Sequence, residues 1–212
     1  TNADLPKALN LCNSVAPQEY QRVCIQGVFM QIYQPLEPDD YELIAQMPVK
    51  PTKATVRQFC ATFKEAIYVG SCLEESWPLF RDGILDGSGV SAFCSGQPNA
   101  IETDMCYTSM SAIIGRMSLG APEKAAKACD NFPADRREVC YSTSAQAVLE
   151  ENRTDGARAV ALCELAPADI VENCINFLVD HARFIFGSDT RARNLFCEAV
   201  PSPDKAQCIG PQ

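Results

Sequence analysis

The sequence predicts an all-α chain, a solenoid-like stack of about six antiparallel helical hairpins with one disulfide in each. Three observations predict it. Twelve cysteines fall into six pairs whose members are 12, 12, 12, 11, 11 and 11 residues apart. The first cysteines of the pairs (Cys12, Cys60, Cys94, Cys129, Cys163 and Cys197) advance in steps of 48, 34, 35, 34 and 34 residues. Apolar residues on either side of each pair recur at three- and four-residue intervals, the spacing of one buried helical face.

The first cysteine of each pair closes a helix-like segment, as in "ATVRQFC", "GVSAFC", "PEKAAKAC", "ARAVALC" and "TRARNLFC". A short loop follows. Proline stands four residues after Cys94, Cys129, Cys163 and Cys197 (Pro98, Pro133, Pro167 and Pro201), and Pro17 stands five after Cys12. A proline at the first position of a helix gives up no hydrogen bond, so these residues are expected to open the second helix of each unit. Acids that follow (Glu19, Asp135, Asp169, Asp204) suit the positive end of that helix. The second cysteine falls about two turns in, and apolar or small residues continue after it: Ile25, Val28, Phe29 and Ile32; Tyr107, Met110, Ser111 and Ile114; Ile175, Leu178, Val179 and Ala182. Hairpins are thus expected near 5–34, 52–86, 88–119, 121–153, 155–187 and 189–212, in a single right-handed domain covering 1–212.

Two chemistries could use such cysteines. Zinc and iron–sulfur sites take closely spaced ligands such as C-x2-C, and this chain has no C-x-x-C and a lone histidine, His181. Disulfides take an even count in an oxidising compartment. Sequence alone does not fix connectivity, but pairing within each unit accounts for the constant 11–12 spacing: Cys12–Cys24, Cys60–Cys72, Cys94–Cys106, Cys129–Cys140, Cys163–Cys174 and Cys197–Cys208. Closing a loop of that length removes about 3 kcal/mol of denatured-chain freedom. No cofactor or metal is expected. The periplasm or the cell exterior is the expected location, and a chain starting at Thr1 reads as a mature or trimmed product. "NRT" at Asn152–Thr154 is a glycosylation acceptor triplet in the loop between the fourth and fifth hairpins.

A helix–turn–helix period of 34 residues resembles the tetratricopeptide-like superfamily of helical-hairpin repeats, of the disulfide-stapled secreted type. The resemblance lies in period, hairpin design and cysteine pairing; the signature W-x2-L-G-x2-Y is absent. It implies a curved surface that binds other proteins or peptides, and it implies no site residues.

Composition narrows the partners. A formal net charge of −9 and a pI near 4.7, with Arg136-Arg137 and Arg191/Arg193 set among acids, speak against nucleic acid and against anionic membrane. No apolar run approaches the ~18 residues of a spanning helix, so association with a membrane would run through a complex.

Two places break the repeat. The long first step accommodates an insertion at 35–51, whose centre "PDDYELIAQM" reads as a short capped helix. Its Asp39, Asp40, Tyr41, Ile44 and Met47 are candidate partner-binding residues; the competing reading is a helix that patches the first two hairpins together. Trp77, followed by Pro78, interrupts the second hairpin and is a candidate anchor or a packing residue. The Gly/Asp-rich loop "RDGILDGSGVS" does not fit a calcium loop. Enzyme readings find little support. His181 beside Asp180 lies within a helical stretch, and the acid pairs Glu74-Glu75, Glu150-Glu151 and Asp39-Asp40 read as solvated helix surface. The expected function is a non-catalytic protein–protein interaction scaffold or accessory subunit of an exported or membrane-associated complex. The alternatives are a secreted ligand- or receptor-binding protein acting as a soluble monomer, and an enzyme of unrecognised type.

Overall fold

The computed structural model describes residues 4–36, 38–47, 50–118, 121–201 and 204–209; the side chains of Gln18, Glu19, Pro38, Asp39, Leu43, Gln46 and Ala206 lie outside that description. The described chain is all-helical, with fourteen α-helices and no strand. It divides into two compact units: Thr1–Arg81 with Ala92–Cys106, and Asp82–Ser91 with Tyr107–Gln212.

In the first unit, α1 (Leu5–Cys12) and α2 (Gln18–Tyr33) form a pair, followed by α3 (Pro38–Gln46), which packs on α2. The next pair is α4 (Val56–Cys60) and α5 (Ala66–Glu75), with α5 packed along α2. The core gathers Leu9, Ile25, Phe29, Ile32, Val56 and Tyr68 around the disulfides. After α5 a 3-10 turn at Trp77–Phe80, with Pro78 near its start, ends the helical run before α6 (Arg81–Leu85). The break at Trp77-Pro78 is what proline demands, because it has no N–H for the preceding turn. Next come α7 (Val90–Cys94) and α8 (Ala100–Met117); Ala92–Cys94 of α7 and Ala100–Cys106 of α8 belong to the first unit, and the rest of both, with Asp82–Leu85 of α6, to the second.

The second unit contains α9 (Pro122–Asp130), α10 (Arg137–Glu151), α11 (Gly156–Glu164), α12 (Ala168–Phe186), α13 (Thr190–Ala199) and α14 (Asp204–Ile209). Here α11 packs against α9 and α13, while α12 packs against α10 and α14. Alanines and other small residues set the spacing: Ala125, Ala126 and Ala128 of α9 and Ala145 and Ala147 of α10 are buried. Near the end of α8, Gly115 lies against the backbone of Ser144, whose hydroxyl donates to the Ser111 carbonyl at 2.7 Å.

All twelve cysteines are oxidised in the six within-unit pairs read from the spacing, with Cα–Cα distances of 5.4–5.6 Å and no free thiol. Six intramolecular disulfides suit an oxidising compartment. Three of the loop prolines, Pro17, Pro133 and Pro167, stand one step earlier than expected, and Pro98 stands two residues before α8. Pro17 and Pro167 occupy the residue before α2 and α12, with ψ of 169° and 144°, and Pro133 likewise precedes a 3-10 turn that leads into α10. The residue that caps a helix has extended backbone, which proline's fixed φ accommodates, and its missing N–H is again no loss. No helix among the described residues is long and apolar enough to cross a membrane.

Candidate functional site

Two places in the first unit hold the features of a site: the insertion helix and a polar seam between helices. On α3, Tyr41 is 59% exposed, and its hydroxyl donates to the Pro35 carbonyl at 3.4 Å. Asp40 accepts from the Leu36 N–H at 3.0 Å, which fixes the entry to the helix. Ile44 is half-buried, and Met47 packs against the unit's core. The side chain of Asp39 lies outside the described residues. The insertion therefore turns one side toward α2 and another, with Tyr41 and the nearby Leu36, toward solvent.

Trp77 is on a different element and only 9% exposed, with the Arg81 guanidinium 5.9 Å from its ring centre. Its indole thus lies in packing. His181, on α12, is half-buried; its Nδ1 is 2.8 Å from the Phe177 carbonyl, and its ring lies 4.1 Å from the Phe177 ring. Neighbouring Asp180 is exposed.

The acid pairs do not share one environment. Glu150 is exposed and pairs loosely with Arg116 at 3.6 Å, and Glu151 is exposed. Glu74-Glu75, expected on a solvated surface, is instead covered, because α5 lies along α2. Glu74 is 3% exposed and accepts from the Gln26 side chain at 2.7 Å, and half-buried Glu75 accepts from Gln34 at 2.9 Å. Burial pushes the Glu75 carboxyl up to about 8; the adjacent Glu74 charge adds to this, and the Gln34 hydrogen bond opposes it. Glu75 therefore holds a proton at neutral pH.

Farther along the same helix, Arg22 forks onto Glu102 with contacts of 2.5 and 2.9 Å. The two side chains are 16% and 5% exposed. Glu102 sits in the first turn of α8, where the helix end favours a carboxylate, and its N–H donates to Asn99. Gly70 of α5 has no Cβ, and one there would run into the Glu102 carboxylate. The hydrogen bond to Glu102 raises the Arg22 pKa above its already high value. Arg22, Gln26 and Gln34 of the α2 segment thus meet Glu102, Glu74 and Glu75 in turn.

Sequence reasoning missed Arg22, Gln26, Gln34 and Glu102. The available signal was the four-residue spacing of Arg22 and Gln26 beside the apolar stripe Ile25, Phe29 and Ile32. Chemically the seam can hold a proton at Glu75 and fix helix register through Arg22. Among the described residues, no three His, Cys, Asp or Glu side chains converge as a metal-ion cluster. No protein-family model, curated protein or solved structure matches the chain.

Proposed function

We propose that this protein is a non-catalytic interaction scaffold or accessory subunit of an exported or membrane-associated complex, working in the periplasm or outside the cell. Its architecture on this reading is a right-handed, tetratricopeptide-like stack of disulfide-stapled hairpins. The serial packing of α9, α11 and α13, and of α10, α12 and α14, supports that architecture. Such arrays expose long faces made from many short units, and each disulfide holds its own unit when the protein is outside the reducing cytosol.

One observation carries the functional reading. The insertion that breaks the period is anchored to α2 by its inner side, yet it leaves Tyr41 and Leu36 exposed at 59% and 77%. Array packing does not call for an aromatic and a leucine in solvent at one short insertion, whereas a protein partner does. Aromatic side chains are the residues most often found as interface anchors. The partner's complementary surface is an apolar recess with basic groups toward Glu42.

Crosslinking of unreduced protein in its native source, read by mass spectrometry, tests this. Lys50 lies at the end of the insertion and Lys53 just after it, and crosslinks from them to one stoichiometric partner are expected. Tyr41→Ser should remove those crosslinks while leaving all six disulfides formed. Crosslinks confined within the chain at native abundance would overturn the reading.

A further inference from the structure

The six disulfides are not equally sheltered. Eleven of the twelve cysteines are at most 3% exposed, so five of the pairs are closed to solvent at both ends. Cys24 is the exception. It is half-buried, although its partner Cys12 is 1% exposed.

Gly27 adds an independent observation. Residues three apart are neighbours on a helix surface, so position 27 stands next to Cys24. In the next four pairs the matching position, three after the second cysteine, carries Glu75, Ser109, Thr143 and Phe177. In α2 it is glycine, and a Cβ there would meet nothing within 4 Å among the described residues. Glycine inside a helix loses stability relative to alanine, and at other positions close packing explains it. A Cβ on Gly70 would strike Glu102, one on Gly115 the Ser144 backbone, and one on Gly156 the Phe196 ring. Gly27 answers to no such contact. It leaves open space beside the one cysteine that solvent reaches, and Tyr20, one turn before Cys24, is 57% exposed.

We propose that Cys24 is a site of thiol–disulfide exchange with a low-molecular-weight thiol, open to attack while the other five disulfides stay closed. The thiolate attacks the Cys24 sulfur; a new S–S bond forms between them, and the Cys12–Cys24 bond breaks. The Cys12 sulfur leaves as a thiolate and takes a proton from water. A second thiolate attacking the mixed disulfide frees Cys24, so two thiols are oxidised to their dimer for one disulfide reduced. Exchange depends on access to the sulfur attacked. The half-burial of Cys24 and the gap at Gly27 admit a small thiol, whereas a buried pair reacts only when its helices open.

Opening this bond has a local consequence. Helix α1 has eight residues, too few to hold helical structure by itself. It packs on α2 with Leu9 in the core, and Asn13, just beyond it, accepts from Tyr68 and Gln21 at 2.6 and 3.0 Å. The Cys12–Cys24 bond ties α1 covalently to that packing. Its loss loosens residues 5–12 and uncovers part of the first unit's core, while the later pairs keep their own buried disulfides. The exchange site is independent of the partner proposed at α3.

Incubating the intact, oxidised chain with reduced glutathione, trapping free thiols by alkylation and mapping the peptides by mass spectrometry tests it. Glutathione on Cys24 and an alkyl group on Cys12 should appear at least about tenfold faster than modification of the other ten cysteines. Gly27→Leu, which the open space accommodates, should slow the reaction at Cys24 at least about threefold. Hydrogen exchange of the modified chain should show protection lost over residues 5–12 and kept in α5, α10 and α12. No reaction, another pair reacting first, all six opening together, or a rate indifferent to Gly27→Leu would overturn the exchange site. An α1 that keeps its protection after the bond has opened would overturn its release.

Discussion

The two units solve the problem of packing helix on helix with different chemistry. In the first, α2 meets its neighbours through Arg22–Glu102, Gln26–Glu74 and Gln34–Glu75, beside a core of large apolar residues. In the second, helices approach over alanines, Gly115 and hydroxyls such as Ser144. Small residues let backbones come close and need little desolvation. Buried charge is expensive to desolvate and stabilises only when its partners are in place. What the seam contributes is register. A helix displaced by one residue along α2 would leave Glu102 buried without its guanidinium, whereas a displaced alanine face loses only contact area. The first unit is thus specified by polar groups and the second by shape.

That contrast predicts its own largest effect. Arg22→Met should destabilise the protein by about 3–5 kcal/mol, the usual cost of stranding one member of a buried ion pair. The double variant R22M/E102L should recover most of the loss, because an apolar pair of similar volume is often neutral or better. Urea denaturation of both variants measures it. If R22M costs less than about 1 kcal/mol, the pair behaves as an exposed one, and the polar specification of the first unit fails.

The second effect is a pH dependence confined to the seam. Glu75, beside Glu74 and Gln34, keeps its proton up to about pH 8 in the folded chain, while an unfolded glutamate releases it near its ordinary value. Between these two values the folded state binds more protons than the unfolded one. Its contribution is therefore complete at acid pH and is lost as pH rises toward 8, by at most about 1.4 kcal/mol per pH unit. Glu75→Gln should flatten denaturant midpoints measured between pH 5 and pH 8. A wild-type midpoint that rises over this window would break the prediction.

Much of the fold was legible because its rules are local. The cysteine spacing gave the disulfide pairs, and the three- and four-residue stripes gave the helices, down to the interruption at Trp77-Pro78. Pro17, Pro133 and Pro167 stand just before their helices rather than at the first helical residue, since both positions tolerate proline. The seam was not legible. Glu74-Glu75 looks the same in sequence as Glu150-Glu151, yet α2 covers the first pair, while both members of the second are exposed. Which polar residue of a helix is buried depends on the neighbour laid across it, and Glu102 lies 80 residues from Arg22.

The smallest effect separates the units through one tyrosine in each, half-buried in the first and fully buried in the second. The Tyr33 hydroxyl, in the first unit, faces the sulfurs of Cys60 and Cys72 at 3.8 and 3.6 Å, which are weak acceptors. Tyr141, fully buried in the second, donates to Asp130 at 2.8 Å and lies 3.2 Å from the Ala126 carbonyl. Burial raises both phenol pKa values, and at Tyr141 the Asp130 hydrogen bond and charge raise it further. Tyr141→Phe removes a charge-assisted hydrogen bond and should cost about 1–2 kcal/mol. Tyr33→Phe removes an O–H that only sulfur receives and should change stability by less than about 0.5 kcal/mol. Equal losses would mean that the Tyr33 hydroxyl has a stronger partner than sulfur. The first unit's dependence on polar contacts would then extend from the seam between its helices to the disulfide beneath it.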